Sequence, residues 1–474
     1  MNVLFAASEC APFFKTGGLG DVIGALPKAL QSIGVNVTVI LPKYGDLDDR
    51  YKNQLELIKM IEVPVGWRMQ YCGIEKMTHE GVSIYFLDNE YYFKRHGSYG
   101  YFDDGERFAY FSRAVLEAIP HLEAKTDIIH CHDWQTGPIP VLLKAHYIFH
   151  PLYQNIKTVF TIHNLRYQGV YPKSVLAELL DLSELYFHID GLEFHGNVSY
   201  LKAGLAFANY ITTVSPTYAQ EIQTPYYGEN LDGFLRKREG NLLGIVNGID
   251  IEAYNPKNDP AIYLEYDDFA GKVENKRLLQ EQLGLPVDEG IPMISMVTRL
   301  VEQKGIDLVL HVFEEIMQQN CQVVLLGTGE EIYENAFRDL QQRFPNQVSA
   351  NIFFDEDLAH KIYAGSDIFL MPSQFEPCGI GQLLAFRYGT IPLVRETGGL
   401  KDTVLPYNEF FDEGNGFSFT KYNAHDMLYT IERALWFFRF QPKKWKELSE
   451  RAMKIDYSWE ASSKEYKKLY EELA

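Results

Sequence analysis

Val3-Leu4-Phe5-Ala6-Ala7, then Lys15-Thr16-Gly17-Gly18-Leu19-Gly20-Asp21, then Val35-Asn36-Val37-Thr38-Val39-Ile40-Leu41 follow one another at the start of the chain, the last two separated by the apolar helical pattern of residues 22–30. A short apolar run, a glycine turn, an amphipathic stretch and a second β-branched run spell a strand-turn-helix-strand unit of a parallel sheet. Glycines at such a turn let backbone amides approach a ligand, and the helix N-terminus adds partial positive charge suited to phosphate. Lys15 can reach the same anion. The alternative is a turn that only packs the helix onto the sheet. The Gly-Lys-Ser/Thr of a P-loop is missing, and Gly17-Gly18-Leu19-Gly20 lacks the dinucleotide spacing.

The rhythm continues outward from this unit, with apolar runs at 82–87, 128–131, 158–162 and 211–214. It restarts at 293–297, 322–326, 351–354, 368–371 and 391–394. Two doubly wound parallel α/β domains follow, which suits 474 residues, too many for one ordinary core. Between the two series lies Gly244-Ile245-Val246-Asn247-Gly248-Ile249-Asp250, whose Asn-Gly pair reads as a tight turn. The expected division is therefore 1–244 for the first domain and 245–455 for the second. In the remaining segment, 456–474, Trp459, Tyr466, Leu469, Tyr470 and Leu473 fall close to one helical face after Ser458, a plausible N-cap. Such a helix needs a surface to pack on.

Composition narrows the partners. Hydrophobic residues at 46% and charged residues at 23% are ordinary globular usage, against disorder or a fibrous class. A formal charge of −20 argues against nucleic acid or an anionic membrane, since phosphate backbones reward a net basic surface. The N-terminus lacks the cationic segment of an export signal, and no apolar run approaches the roughly 20 residues of a membrane span. Cys10, Cys72, Cys131, Cys321 and Cys378 have neither zinc-site spacing nor paired density, so a cytoplasmic enzyme is expected.

Further motifs sit at the carboxyl ends of the expected strands, where open α/β sheets bind ligands. His130-Cys131-His132-Asp133-Trp134-Gln135-Thr136-Gly137 ends one strand and Thr161-Ile162-His163-Asn164 ends the next. Asp133 and His163 are candidates for polar contacts to substrate. The three histidines also raise a metal hydrolase, though no further ligand motif supports one. In the second domain, Arg299 and Lys304 share one strand-to-helix loop and can both address a diphosphate, one as a planar fork and one as a point charge. Ser373-Gln374-Phe375-Glu376-Pro377-Cys378-Gly379 and Arg395-Glu396-Thr397-Gly398-Gly399-Leu400 are glycine-bearing loops of the kind that favour anions, while the Glu376 carboxylate can instead hold sugar hydroxyls. Asp355-Glu356-Asp357 resembles a metal-nucleotide motif but opens a helical pattern, where acids serve the helix dipole. The aromatic stretch 91–102 is read as core, and Cys378 has no histidine arrangement that would make it a nucleophile.

With these residues in view the chain resembles the starch/glycogen synthase family, essentially end to end. The resemblance rests on Lys15-Thr16-Gly17-Gly18-Leu19, His132-Asp133-Trp134-Gln135, Phe160-Thr161-Ile162-His163-Asn164, Thr213-Val214-Ser215-Pro216-Thr217-Tyr218, Val246-Asn247-Gly248-Ile249-Asp250, Arg299 with Lys304, and Phe375-Glu376-Pro377-Cys378-Gly379 followed by Thr397-Gly398-Gly399-Leu400. It implies the GT-B fold: two Rossmann-like domains facing across a cleft, with the last helix crossing back to the first. It further implies a retaining transfer of glucose from ADP-glucose or UDP-glucose to the non-reducing 4-hydroxyl of an α-1,4-glucan such as glycogen. No metal and no resident cofactor are implied, the nucleotide-sugar being a substrate.

By matched position the resemblance implies that Arg299 and Lys304 neutralise the leaving diphosphate, aided by Lys15 and by backbone amides at Gly18 and from Thr397 through Gly398 and Gly399 to Leu400. His163 is placed near the anomeric carbon and Glu376 on the transferred sugar. Asp133, Asn164 and Asn247 are placed in the pocket, and Gly17, Asp21, Phe354, Cys378 and Gly379 are counted among the substrate-binding positions. Three positions depart from the family pattern: Gln374 stands for a usual arginine, Gly381 for a threonine, and Phe354 for a tyrosine that stacks near the donor base.

Overall fold

The first expected strand and its successors assemble into a nine-stranded sheet. A computed structural model describes residues 1–474. In chain order the strands are β1 (Asn2–Ala6), β2 (Asn36–Pro42), β3 (Glu56–Val65), β4 (Arg68–His79), β5 (Val82–Asp88), β6 (Ile128–His132), β7 (Lys157–Ile162), β11 (Tyr210–Thr213) and β12 (Leu242–Gly244). The intervening β8 (Val170–Tyr171), β9 (Glu193–Phe194) and β10 (Asn197–Ser199) form a separate three-stranded sheet. Across the large sheet the order is β12-β11-β7-β6-β1-β2-β5-β4-β3. From β12 to β5 every pairing is parallel, and Phe5 lies between Val39 and His130. Strands covered on both faces need continuous apolar runs rather than alternation, which is why these segments were readable. The β3–β4 hairpin was not expected. It is antiparallel, closes one edge, and leaves Leu57, Met60, Met69 and Tyr71 exposed, so its apolar residues do not mark a buried face.

The helix Gly18–Ser32 follows the glycine turn and buries Leu19, Val22, Ile23, Leu26 and Leu30, spaced as one helical stripe. Trp459, Tyr466, Leu469 and Tyr470 of the C-terminal helix Trp459–Leu473 belong to the same apolar cluster. That is the surface its apolar face requires.

The second sheet has six parallel strands, β13 (Met293–Val297), β14 (Gln322–Leu326), β15 (Val348–Asn351), β16 (Ile368–Met371), β17 (Ile391–Arg395) and β18 (Phe417–Phe419), in the order β15-β14-β13-β16-β17-β18. One expectation fails here. The strand read at 351–354 lies three residues earlier, because Phe353 and Phe354 are exposed while Val348 is buried. Asp355 behaves as an N-cap, accepting the Leu358 N–H at 2.8 Å in front of the helix Glu356–Gly365.

The chain divides into two units, one of Met1–Val214, Ala219–Gly248 and Trp459–Ala474, the other of Ser215–Tyr218 and Ile249–Ser458. The crossings expected at 244/245 and 455/456 fall at 248/249 and 458/459. Ile245 is buried in the first unit's core and Ile249 in the second's, so Asn247-Gly248 stays with the first; the tight turn expected at this pair does not form, the chain from 245 to 248 being irregular without a turn. At the second crossing Ile249 N–H donates to Tyr457 O at 2.9 Å. No helix is long and apolar enough to cross a membrane.

Candidate active site

In the first unit the glycine turn connects β1 to the helix Gly18–Ser32, and Lys15 and Asp21 form an ion pair of 2.6 Å with both side chains well exposed. Gly17 and Gly18 are exposed as well, with Gly18 opening a 15-residue helix. The turn is held from beneath by Glu9, a buried carboxylate that the sequence reading passed over. One oxygen, Oε2, accepts the N–H groups of Thr16 at 2.7 Å and Gly17 at 3.2 Å. The other, Oε1, accepts the hydroxyls of Thr16 at 2.6 Å and Tyr99 at 2.8 Å. Its only signal in the sequence is an isolated acid among apolar residues just past β1.

The ends of β6 and β7 bring Asp133 and His163 together, Asp133 Oδ1 accepting the His163 N–H at 2.7 Å. Asp133 sits at φ 58°, an uncommon conformation for a side-chain-bearing residue and one seen at constrained sites. Burial pushes its carboxyl up to about 7, against the lowering effect of N–H donors from His163 and Asn164. Asn164 turns back on its own loop, accepting Arg166 N–H at 3.1 Å. Asn247 is buried with Oδ1 unpartnered, a polar atom available to a ligand.

The three histidines do not act alike. His130 is fully enclosed, its ring nitrogens engaged by Tyr470 Oη at 2.7 Å and Thr161 Oγ1 at 2.5 Å, which makes it a core residue rather than a ligand. His132 stacks on it, ring centres 4.1 Å apart, and shares a 3.0 Å hydrogen bond with His163 Nε2. Burial drives all three below the usual imidazole range, His163 to about 3. A depressed folded value means that the unfolded chain takes up protons the native one refuses. Stability is then fully present above about pH 6.5 and falls with acidity, by about 1.4 kcal/mol per pH unit for each such histidine. For fully enclosed His130 and His132 the unfolding free energy from urea titration is expected to drop by about 2 kcal/mol between pH 6.5 and 5.5, the slope being only half developed at the unfolded pKa. A midpoint flat over that interval would mean that the imidazoles protonate in place.

Beside this site the segment between β7 and β8 walls a cavity of about 430 Å³, lined by Trp134, Arg166, Tyr167, Gln168, Phe194 and Glu229 among others. Gln168 donates from Nε2 to Glu229 O at 2.9 Å and leaves its buried Oε1 without a partner. Gly169, at φ 57°, lets this segment approach the indole: a Cβ there would lie 2.3 Å from Trp134.

In the second unit Lys304 Nζ and Glu376 Oε2 stand 2.5 Å apart, and Ser373 Oγ adds a 3.1 Å bond to the same oxygen. Arg299, at the end of β13, is exposed. Arg395 was not singled out from sequence. It is buried under the loop carrying Glu376, donating from Nε to Ser373 O at 2.8 Å and from Nη2 to Gln374 O. Gln303 fixes the loop from the other side, accepting Gln374 N–H at 2.8 Å. The 397–400 turn lies against it so closely that a Cβ at Gly398 would sit 2.0 Å from Glu376 O and one at Gly399 2.2 Å from Cys378 O.

This closeness corrects one expectation. The Gly399 N–H donates to Pro377 O at 3.1 Å and the Leu400 N–H to Thr397 O at 3.1 Å, so neither is open to a diphosphate. The Leu400 side chain is buried in the core, and Thr397 is buried. Cys378 is buried with its carbonyl accepting from Gln382, and Gly379 adopts φ 76°. Phe354 is 89% exposed and has no ring partner. Gly381, the glycine in place of a threonine, has a structural counterpart in Phe369, whose ring lies 2.8 Å from where a Cβ would stand.

Residues 2–237 match the starch synthase catalytic domain family and residues 280–451 match glycosyl transferases group 1. Glycogen synthase of Geobacillus thermodenitrificans is 56% identical over 100% of this chain and 98% of its own, and that of Alkaliphilus metalliredigens is 55% identical over the whole of both. The catalytic domain of starch synthase IV from Arabidopsis thaliana, bound to ADP and acarbose, superposes with a TM-score of 0.91 at 37% identity over 99% of each chain. Sucrose-phosphate synthase from Thermosynechococcus elongatus, at 18% identity, TM-score 0.62 and coverage of 100% and 98%, shares the fold. The two parallel-sheet units are those of the GT-B architecture, and the chain belongs to the starch synthase and glycogen synthase family, glucosyltransferases of glycogen synthesis.

Proposed function

We propose that the donor is ADP-glucose and that glucose passes, with retained anomeric configuration and without a metal, to the non-reducing 4-hydroxyl of an α-1,4-glucan. The observation that carries this reading is the Lys304–Glu376 pair with Arg299 on the same loop as Lys304, a cationic group set beside a sugar-binding carboxylate. Charge grows on the departing diphosphate as the glycosidic bond breaks, and preorganised cations act where that charge develops. Arg299 and Lys304 take this role, and the family resemblance assigns Lys15 and the Gly18 amide to the donor phosphates as well. His163 contacts the glucose, and Asp133, Asn164 and Asn247 fix its hydroxyls. The ADP held by the Arabidopsis relative supports the choice of base.

Retention permits a covalent intermediate on a carboxylate or front-face attack, in which the leaving phosphate accepts the acceptor's proton. The two carboxylates to exclude as nucleophile are Asp133, whose Oδ1 accepts the His163 N–H, and Glu376, whose Oε2 is held by Lys304 and Ser373. The front-face route is the one adopted in this reading. The cavity beside Trp134 suits the acceptor, since aromatic rings stack on sugar faces and the Tyr167 ring in its lining is exposed.

The test is glucose incorporation into glycogen from ADP-glucose and UDP-glucose side by side, with EDTA present. Faster incorporation from ADP-glucose is expected, and a preference for UDP-glucose would overturn the donor assignment. Tyr167→Ala is expected to raise the KM for glycogen several-fold while sparing that for the donor; a change confined to the donor KM would remove the cavity from acceptor binding.

A further inference from the structure

We infer that Glu9 is a positioning residue, an internal acceptor that shapes the Lys15–Gly18 turn for the donor. The inference rests on the proposed role of Lys15 at the donor diphosphate. A glycine-rich turn between a strand and a helix has many backbone conformations to choose from, and an unliganded one has no anion to organise it. Here the organising group is built in. Glu9 is 5% exposed and receives four donors on two oxygens: the Thr16 and Gly17 amides on one, the Thr16 and Tyr99 hydroxyls on the other. Ser8 Oγ lies 2.8 Å from Tyr99 Oη and extends the same set.

Two consequences follow for chemistry. The Thr16 and Gly17 amides point at Glu9 and not at a ligand, so the turn's contribution to an anion comes from Gly18 onward and from Lys15. Because Thr16 is gripped through both its amide and its hydroxyl, the neighbouring Lys15 backbone is fixed, and Lys15 needs only its side chain to move from Asp21 to a phosphate. Tyr99 ties the 94–103 segment to the same carboxylate, so one acid sets the relation of two loops.

The role is one of hydrogen-bond geometry, which makes the variants distinguishable. Alanine removes all four acceptor contacts. Glutamine can keep its oxygen toward the two amides and turn its NH₂ toward the two hydroxyls, whose oxygens can accept. Glu9→Ala is therefore expected to lower kcat/KM for ADP-glucose and to weaken ADP binding, read by titration calorimetry, by about tenfold or more. Glu9→Gln is expected to restore most of both. The deciding measurement is a double-mutant cycle with Lys15→Ala: a residue acting through Lys15 loses most of its effect once Lys15 is gone.

Effects of Glu9→Ala and Lys15→Ala that simply add, or an ADP affinity unchanged by Glu9→Ala, would overturn the inference. Lys15→Ala with unaltered ADP binding would instead sink the donor reading of Lys15 itself. If Glu9→Ala does not fold, Tyr99→Phe and Thr16→Val each remove one hydroxyl donor and are expected to weaken ADP binding in the same direction by a smaller factor; wild-type affinity in both would also overturn it.

Discussion

Lys304→Ala is expected to lower kcat/KM for the donor by about 10²–10³-fold, the usual cost of removing one preorganised group from a developing negative charge. The lysine stands at the end of a short turn, Glu302–Lys304, and Gly305 behind it adopts φ 72° with a would-be Cβ 2.2 Å from Pro372 O. Its position is thus set by the approach of two loops. With side chains 16% and 10% exposed, Lys304 and Glu376 form a largely buried pair, and deleting one partner leaves the other with an uncompensated charge. A second signature follows: the variant should also melt earlier, and Glu376→Gln added to Lys304→Ala should recover stability without recovering activity. An early melt with wild-type kcat/KM would make Lys304 a structural partner only.

The other large effect concerns the C-terminal helix. Trp459, Tyr466, Leu469 and Tyr470 are each at most 6% exposed. At about 1.5–3 kcal/mol per buried side chain they contribute together about 6–12 kcal/mol, comparable to the whole stability of a folded domain. Ending the chain at Ser458 is therefore expected to yield insoluble or molten protein. Tyr470→Ala, which also removes the 2.7 Å bond to His130, should fold but melt about 10 °C lower. A soluble truncated chain with the wild-type melting curve would refute the assignment of this helix to the first core.

Much of the architecture was legible because parallel strands covered on both faces must be continuously apolar, and residues 293–297, 322–326 and 368–371 coincide with β13, β14 and β16. The β3–β4 hairpin escaped because an edge pair mixes charge with exposed Leu57, Met60 and Tyr71, so neither continuity nor alternation marks it. The shift of β15 has a related cause: Ile352-Phe353-Phe354 is the more apolar triplet, yet it runs out into solvent. At the candidate site the residues carried by local motifs could be named from sequence. Glu9 and Arg395 could not, since each matters through bonds that exist only after folding, Glu9 to Tyr99 across 90 positions and Arg395 to the loop at Ser373. The Gly399 amide was misjudged for the same reason, its acceptor, Pro377 O, lying on a neighbouring turn.

The first unit takes its last helix from the far end of the chain, beyond residues 249–458 that build the second. During synthesis the face of the helix Gly18–Ser32 that Trp459 and Tyr470 cover must wait while the ribosome reads that stretch, roughly 10–40 s at about 5–20 residues per second. The second unit, nearly continuous, can complete itself first, reversing the usual N-to-C order. An unfinished apolar face on a nascent chain is what chaperones bind, so the order of assembly, more than the final stability, sets where this protein is vulnerable to misfolding.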